Sequence, residues 1–177
     1  MSLLVLAVAG CSYTSGPHGS ARKIEAESHH ALNRLLEDSK PAKALAAQAK
    51  GILVFPSITK GGLIVGGQYG EGTLYEQGSV TGYYSSVGVS YGLQAGVQTF
   101  GYALFFMNDS DLEYLIKSEG WEVGAGPSVV VLDKGVASSL STTTARQGVY
   151  AIFFEQKGLM AGIGLQGTKI TRLKRSY

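Results

Sequence analysis

The side chains with most to offer chemically are basic. Lys60 and Lys157 sit in predicted turns beside glycines, and Lys169, Arg172, Lys174 and Arg175 crowd the C-terminal end. Lysines gathered at one end of a small barrel can act as point charges toward phosphate. Amides of glycine-rich turns would add donors. Ordinary solvated turn lysines carry the same signature. With 15 Lys and Arg against 13 Asp and Glu, bulk charge gives no argument for nucleic acid.

Other chemistries are harder to place. Gly162-Ile163-Gly164-Leu165-Gln166-Gly167 has the spacing of a dinucleotide loop. Such a loop needs a helix next and an acid about 20 residues on. Here Thr168–Thr171 is strand-like and the chain ends at Tyr177. Ser57-Ile58-Thr59-Lys60 matches S-x-x-K, but Pro56 before and Gly61-Gly62 after predict a turn instead of the required helix. The histidines, His18, His29 and His30, all precede the predicted strands, so a nucleophile there would lack its usual base. A His/Cys metal site is not expected either. Asp109 and Asp111 read as helix-capping acids, and no pair among Glu71, Glu76 and Glu155 is singled out by spacing. The reading is non-enzymatic, with no cofactor.

Two helices and a glycine-rich β region must position the basic residues. Ile24, Leu32, Leu35 and Leu36 fall near one face of a helix over Arg22 to Asp38. A second helix fits Pro41 to Lys50, with Ser39 as cap and Gly51 as stop. Strands are predicted at Ile52–Phe55, Leu63–Tyr75, Thr81–Met107, Glu122–Leu132, Val149–Glu155 and Leu159–Leu173. A helix capped by Asp109 and stopped by Gly120 interrupts them, and Asp133–Gln147 reads as a long loop. Glycines recur on one strand face: Gly66 and Gly70 with Gln68, Gly88, Gly92 and Gly96 with Gln94 and Gln98, and Gly162 and Gly164 with Gln166. Glycine weakens a strand, so its repetition on one face implies a thin, sharply bent sheet. The expected class is mainly β (α+β), a small closed or nearly closed antiparallel β-barrel with about three helices packed outside.

The N-terminus carries a different signal. Leu3 to Ala9 is apolar, far short of the about 20 residues of a spanning helix. Val8-Ala9-Gly10-Cys11 resembles the cleavage region of a bacterial lipoprotein signal peptide, although no Lys or Arg precedes the apolar run. This predicts a signal peptide over 1–10, lipidation of Cys11, a tether over 11–21, and one domain over 22–177. Ser12 after the cysteine favours the outer membrane over the inner. With Cys11 lipidated no disulfide is available, and stability rests on packing.

Several blocks together resemble the SYLF domain family. They are Ala49-Lys50-Gly51-Ile52-Leu53-Val54-Phe55-Pro56, Gly66-Gly67-Gln68-Tyr69-Gly70-Glu71-Gly72, Ser90-Tyr91-Gly92-Leu93-Gln94-Ala95-Gly96, Phe105-Phe106-Met107, Gly120-Trp121-Glu122-Val123-Gly124 and Gln156-Lys157-Gly158-Leu159-Met160-Ala161-Gly162. The resemblance covers about Leu32 to Leu173. It implies a small β-barrel with external helices and, from eukaryotic members, phosphoinositide binding; the actin binding of fungal members is not carried over. The expectation is a lipid-anchored envelope domain that weakly binds anionic phospholipid or phosphoinositide headgroups through Lys60, Lys157, Lys169, Arg172 and Lys174. The alternative is a structural envelope protein acting through protein contacts. A membrane-inserted barrel would need aromatic girdles and lipid-facing bands, and an envelope hydrolase would need an acid/base pair. Tyr83, Tyr84 and Trp121 are candidates for a lipid interface or for core packing.

Overall fold

The computed structural model describes residues 17–62, 65–91, 96–132, 148–157, 165 and 167–175. Cys11, the predicted signal peptide, the loop 133–147 and Gly162, Gly164 and Gln166 of the last glycine row lie outside them. The element order is α1 (Pro17–Asp38), α2 (Lys40–Ala46), β1 (Gly51–Gly62), β2 (Val65–Glu76), β3 (Ser79–Tyr91), β4 (Gly96–Phe106), α3 (Asp109–Lys117), β5 (Gly120–Glu122), β6 (Val129–Val131), β7 (Val149–Lys157) and β8 (Lys169–Leu173). None of these helices is long and apolar enough to cross a membrane.

Helix boundaries follow capping chemistry. The first helix starts at Pro17, inside the predicted tether, and proline suits a first helical turn, where its missing N–H leaves no bond unmade. Ser39 caps α2, its hydroxyl accepting from the Ala42 amide at 3.3 Å. This helix stops at Ala46, and Gly51 instead opens β1. Asn108, not Asp109, caps α3, with its side-chain oxygen 2.8 Å from the Asp111 amide.

The strands form one sheet in the order β5-β8-β3-β2-β1-β4-β7-β6. Every pairing is antiparallel except β6 with β7. The sheet curls into a half-barrel that ends at β5 and β6 among the described residues: the mainly β (α+β) class with three helices holds, and of the closed or nearly closed barrel expected, full closure is not reached. The curl is nonetheless deep. Trp121 on β5 meets Phe106 on β4 with ring centroids 6.1 Å apart. Five strand spacings separate them in the sheet order, about 24 Å if the sheet were flat. The Tyr102 hydroxyl on β4 likewise donates across the interior to Ser86 Oγ on β3, at 2.8 Å.

Both faces of the sheet are buried where helices cover it. Leu53, Phe55, Tyr102, Leu104 and Phe106 point into the concave side, joined by Leu112 and Leu115 of α3. Their alternates Val54, Ala103 and Phe105 pack on the convex side against Leu32 and Leu35 of α1 and Ala42 and Leu45 of α2. Two helices are therefore outside, as expected, while α3 caps the interior. An amphipathic stripe shows that α3 must bury Leu112 and Leu115, not which side of the sheet receives them.

A line of bulges sets the bend. The β1 register jumps between Val54 and Ser57 against β2, and between Phe55 and Ile58 against β4. Pro56 sits in this jump. Proline in an interior strand is tolerated at a bulge because no ladder bond is lost there. Sequence cues place a turn at this point; the strand instead continues to Gly62. Gly72 lies opposite, and a Cβ there would come 2.3 Å from the Val54 carbonyl oxygen. At the matching irregularity of β7, Glu155 adopts φ 49°, and its carboxylate holds Arg34 of α1 at 2.7 Å.

Interior tyrosines give this core a pH signature. Burial, and then the Glu25 charge, push Tyr75 up to about 12. Burial carries Tyr102 well above the usual tyrosine range, against an opposing hydrogen bond with Ser86. The folded chain thus keeps protons that the unfolded chain releases near pH 10. The associated stability is complete below about pH 10 and is lost as pH rises through the folded values. The urea midpoint should be flat up to about pH 10 and fall above it, and Tyr75→Phe should soften the fall. Tyrosinate absorbance in which all 10 tyrosines titrate together near the ordinary value would contradict this.

Candidate functional site

Strand β8 carries most of the basic residues, and its pairing with β3 decides where they go. Lys169 faces Val87, Ile170 faces Ser86, Arg172 faces Tyr84 and Leu173 faces Tyr83. Ile170 is buried in the concave core, which locks this register. Lys169, Arg172 and Lys174 are exposed.

The turn lysines lie on separate strands. Lys157, the last residue of β7, pairs with Thr99. The same row continues through Thr59, Tyr69 and Val87 to Lys169. Lys157 and Lys169 thus stand five strands apart in the order of the curled sheet. Lys60 lies in β1 instead of a turn, between Gln68 and Gln98, on the concave side with Ile58. Strand alternation also puts Ser57 and Lys60 on opposite faces, which dissolves the S-x-x-K pairing. Tyr83, Tyr84 and Trp121 are all buried, serving packing and not a surface.

What the fold does gather is the end of β8. Arg172, Lys174 and Arg175 line a recess of about 240 Å³ together with Gly82, Tyr83, Glu119 and Leu173. The turn after α3 supplies Glu119, at φ 53°, whose carbonyl accepts the Arg172 amide at 2.6 Å. Arg172 Nη2 reaches the Thr81 carbonyl at 3.4 Å, which ties it loosely to the start of β3. Arg175 is held more firmly: Nη2 donates to both carboxylate oxygens of Glu71, at 2.8 and 2.9 Å. Its Nη1 is buried and has no hydrogen-bond partner among the described residues. The Tyr69 hydroxyl donates to the same Glu71 carboxylate at 2.7 Å. That bond, then burial, raises the Tyr69 pKa above its ordinary value. On the other wall, Tyr83 donates to the carboxylate of Glu25 on α1.

The recess thus combines three cations with one lining carboxylate, Glu119; the Glu71 carboxylate is engaged by Arg175, and one buried guanidinium nitrogen has no partner among the described residues. The recess suits a small anion carrying several acceptor oxygens. Among the described residues, no group of three or more His, Cys, Asp and Glu side chains could hold a metal ion. Arg175 was visible in the sequence only as one more residue of a basic cluster. Its pairing with Glu71 joins positions 104 apart, and no local pattern announces such a contact.

Residues 87–176 match the family described as Ysc84, Las17-binding protein actin regulator. The chain belongs to this family. A comparison with curated proteins finds no match. Membership agrees with the SYLF resemblance and is consistent with lipid-related or actin-related binding. The family match takes in β4, α3, all of β8 and the three cations of the recess; Gly82 and Tyr83 of the lining, and the Glu71 that holds Arg175, lie before it.

Proposed function

We propose that this chain is a non-catalytic binding domain that takes anionic phospholipid or phosphoinositide headgroups in the recess at the end of β8. The observation that carries this reading is the convergence of Arg172, Lys174 and Arg175, with Arg175 Nη1 a buried donor that has no partner among the described residues. A buried donor without a partner costs about 1–3 kcal/mol, and a phosphate oxygen would satisfy it. Family membership supports a binding role over chemistry. The domain is held in a bacterial envelope, at the outer membrane, by lipid on Cys11; this part rests on the sequence around that cysteine. Lys60, Lys157 and Lys169 belong to the general positive field of the molecule, not to the recess.

Calorimetric titration of the full chain with a soluble inositol phosphate, at low and at moderate salt, tests the reading. Binding should weaken with salt, since exposed charges are screened over about 10 Å at 0.1 M. The double substitution Arg172→Gln with Lys174→Gln should weaken it about tenfold or more, because each removes a charge-assisted contact. No binding at low salt, or affinity unmoved by the double substitution, would overturn the proposal.

A further inference from the structure

The convex face of the sheet is covered unevenly. Near Val54, Tyr75 and Phe105 it is sealed by α1 and α2. Toward the ends of β1 to β4 no described element covers it, and there Tyr69, Val87, Val89 and Val97 are exposed beside the uncharged Thr59 and Thr99. Their arrangement follows from register. Val97 pairs with Gly61, Gly61 with Gly67, and Gly67 with Val89, so two valines flank a strip of side-chain-free backbone. Val89 and Val97 are 63% and 71% exposed. A β-branched apolar residue this far out, repeated across a sheet that no described element covers, marks a contact surface.

Charge decides what covers the face. No Asp, Glu, Lys or Arg occurs between Gln77 and Asn108, which includes all of β3 and β4. The neighbouring acid on this face, Glu71, is matched by Arg175. At the β8 end of the Tyr69–Val87 row stands the exposed cation Lys169, with Glu122 beyond it at the sheet edge. An uncharged, largely apolar plane with a lysine at its border complements an anionic bilayer, whose acyl region takes the valines and whose headgroup layer takes the lysine. The face is also continuous with the recess: Tyr69 on the face and Arg175 in the recess share the Glu71 carboxylate.

We infer that the bare convex face, through Val87, Val89 and Val97, inserts into the outer acyl region of an anionic bilayer while the β8 recess engages headgroups. This rests on the headgroup reading for its partner, but names a separate contact surface.

The test uses the full chain with vesicles of phosphatidylcholine and phosphatidylglycerol, some carrying brominated acyl chains. The sole native tryptophan, Trp121, is 4% exposed and serves as the internal reference. Val97→Trp should shift its emission to the blue on vesicles and be quenched by the brominated chains. Val89→Ser with Val97→Ser should weaken vesicle binding about tenfold or more and leave soluble inositol phosphate affinity unchanged. Both positions are exposed, so folding is not at stake. If vesicles bind but Val97→Trp is unquenched, or the double serine variant binds like wild type, the insertion is overturned and the recess reading stands. If quenching occurs without inositol phosphate binding, the recess reading falls and the insertion stands. Loss of both signals overturns both. Sedimentation showing a dimer that the double serine variant abolishes would assign the face to a second copy and overturn the insertion.

Discussion

Gly72→Val is expected to lower the unfolding free energy by about 3 kcal/mol, at the upper end of what overpacking costs. A Cβ at this position would lie 2.3 Å from the Val54 carbonyl oxygen, 2.9 Å from the Val54 carbonyl carbon and 2.8 Å from a ring carbon of Phe55. Two of these are backbone atoms of the neighbouring strand and cannot rotate away. Relief would require moving β1 off β2 at the bulge, where the sheet bends and where Phe55 enters the concave core. Gly67→Ala is the matched control. It lies in the same strand, yet its Cβ would meet only the Gly88 carbonyl oxygen at 4.0 Å, so its cost should be within about 0.5 kcal/mol. Urea unfolding of the two variants checks the contrast. Equal midpoints would mean that close strand approach at Gly72 does not hold the bend.

That contrast also separates what was legible in the sequence from what was not. Glycines recurring on one strand face foretold a bent sheet, and Gly70, Gly72 and Gly88 do line close approaches. Closed or nearly closed was as far as the sequence could go, because closure depends on how the outermost strands meet. Val129–Val131 pairs parallel to β7 and leaves an open edge, and nothing in a three-residue apolar run states its direction. Pro56 and Gly61-Gly62 looked like a turn because local chemistry cannot distinguish a turn from a bulge inside a long strand. Where the basic residues go was hidden for a related reason. Their types were informative, but their placement is a property of register summed over several pairings, which seats Lys157 and Lys169 on different strands and brings Arg172, Lys174 and Arg175 to one recess.

Glu71→Gln should move stability and affinity in opposite directions. In the folded chain this carboxylate accepts both Arg175 Nη2 contacts and the Tyr69 hydroxyl. The side chains of Arg175 and Glu71 are 17% and 24% exposed. The pair therefore lies between a surface bridge, worth at most about 1 kcal/mol, and a fully buried pair, whose breakage costs about 3–5 kcal/mol. Glutamine keeps an acceptor but loses the charge, so a loss of about 1.5 kcal/mol is expected. The recess, meanwhile, sheds a negative charge beside Arg175, and its cations face less competition for an incoming phosphate. An unscreened charge a few ångströms from a solvated ligand contributes on the order of 1 kcal/mol, which predicts about fivefold tighter inositol phosphate binding at low salt. Moderate salt should shrink that gain, because the added attraction acts through solvent. A merely damaged fold would lose both stability and affinity, and a variant that loses stability without gaining affinity would mean that Arg175 serves only to tie β8 to β2.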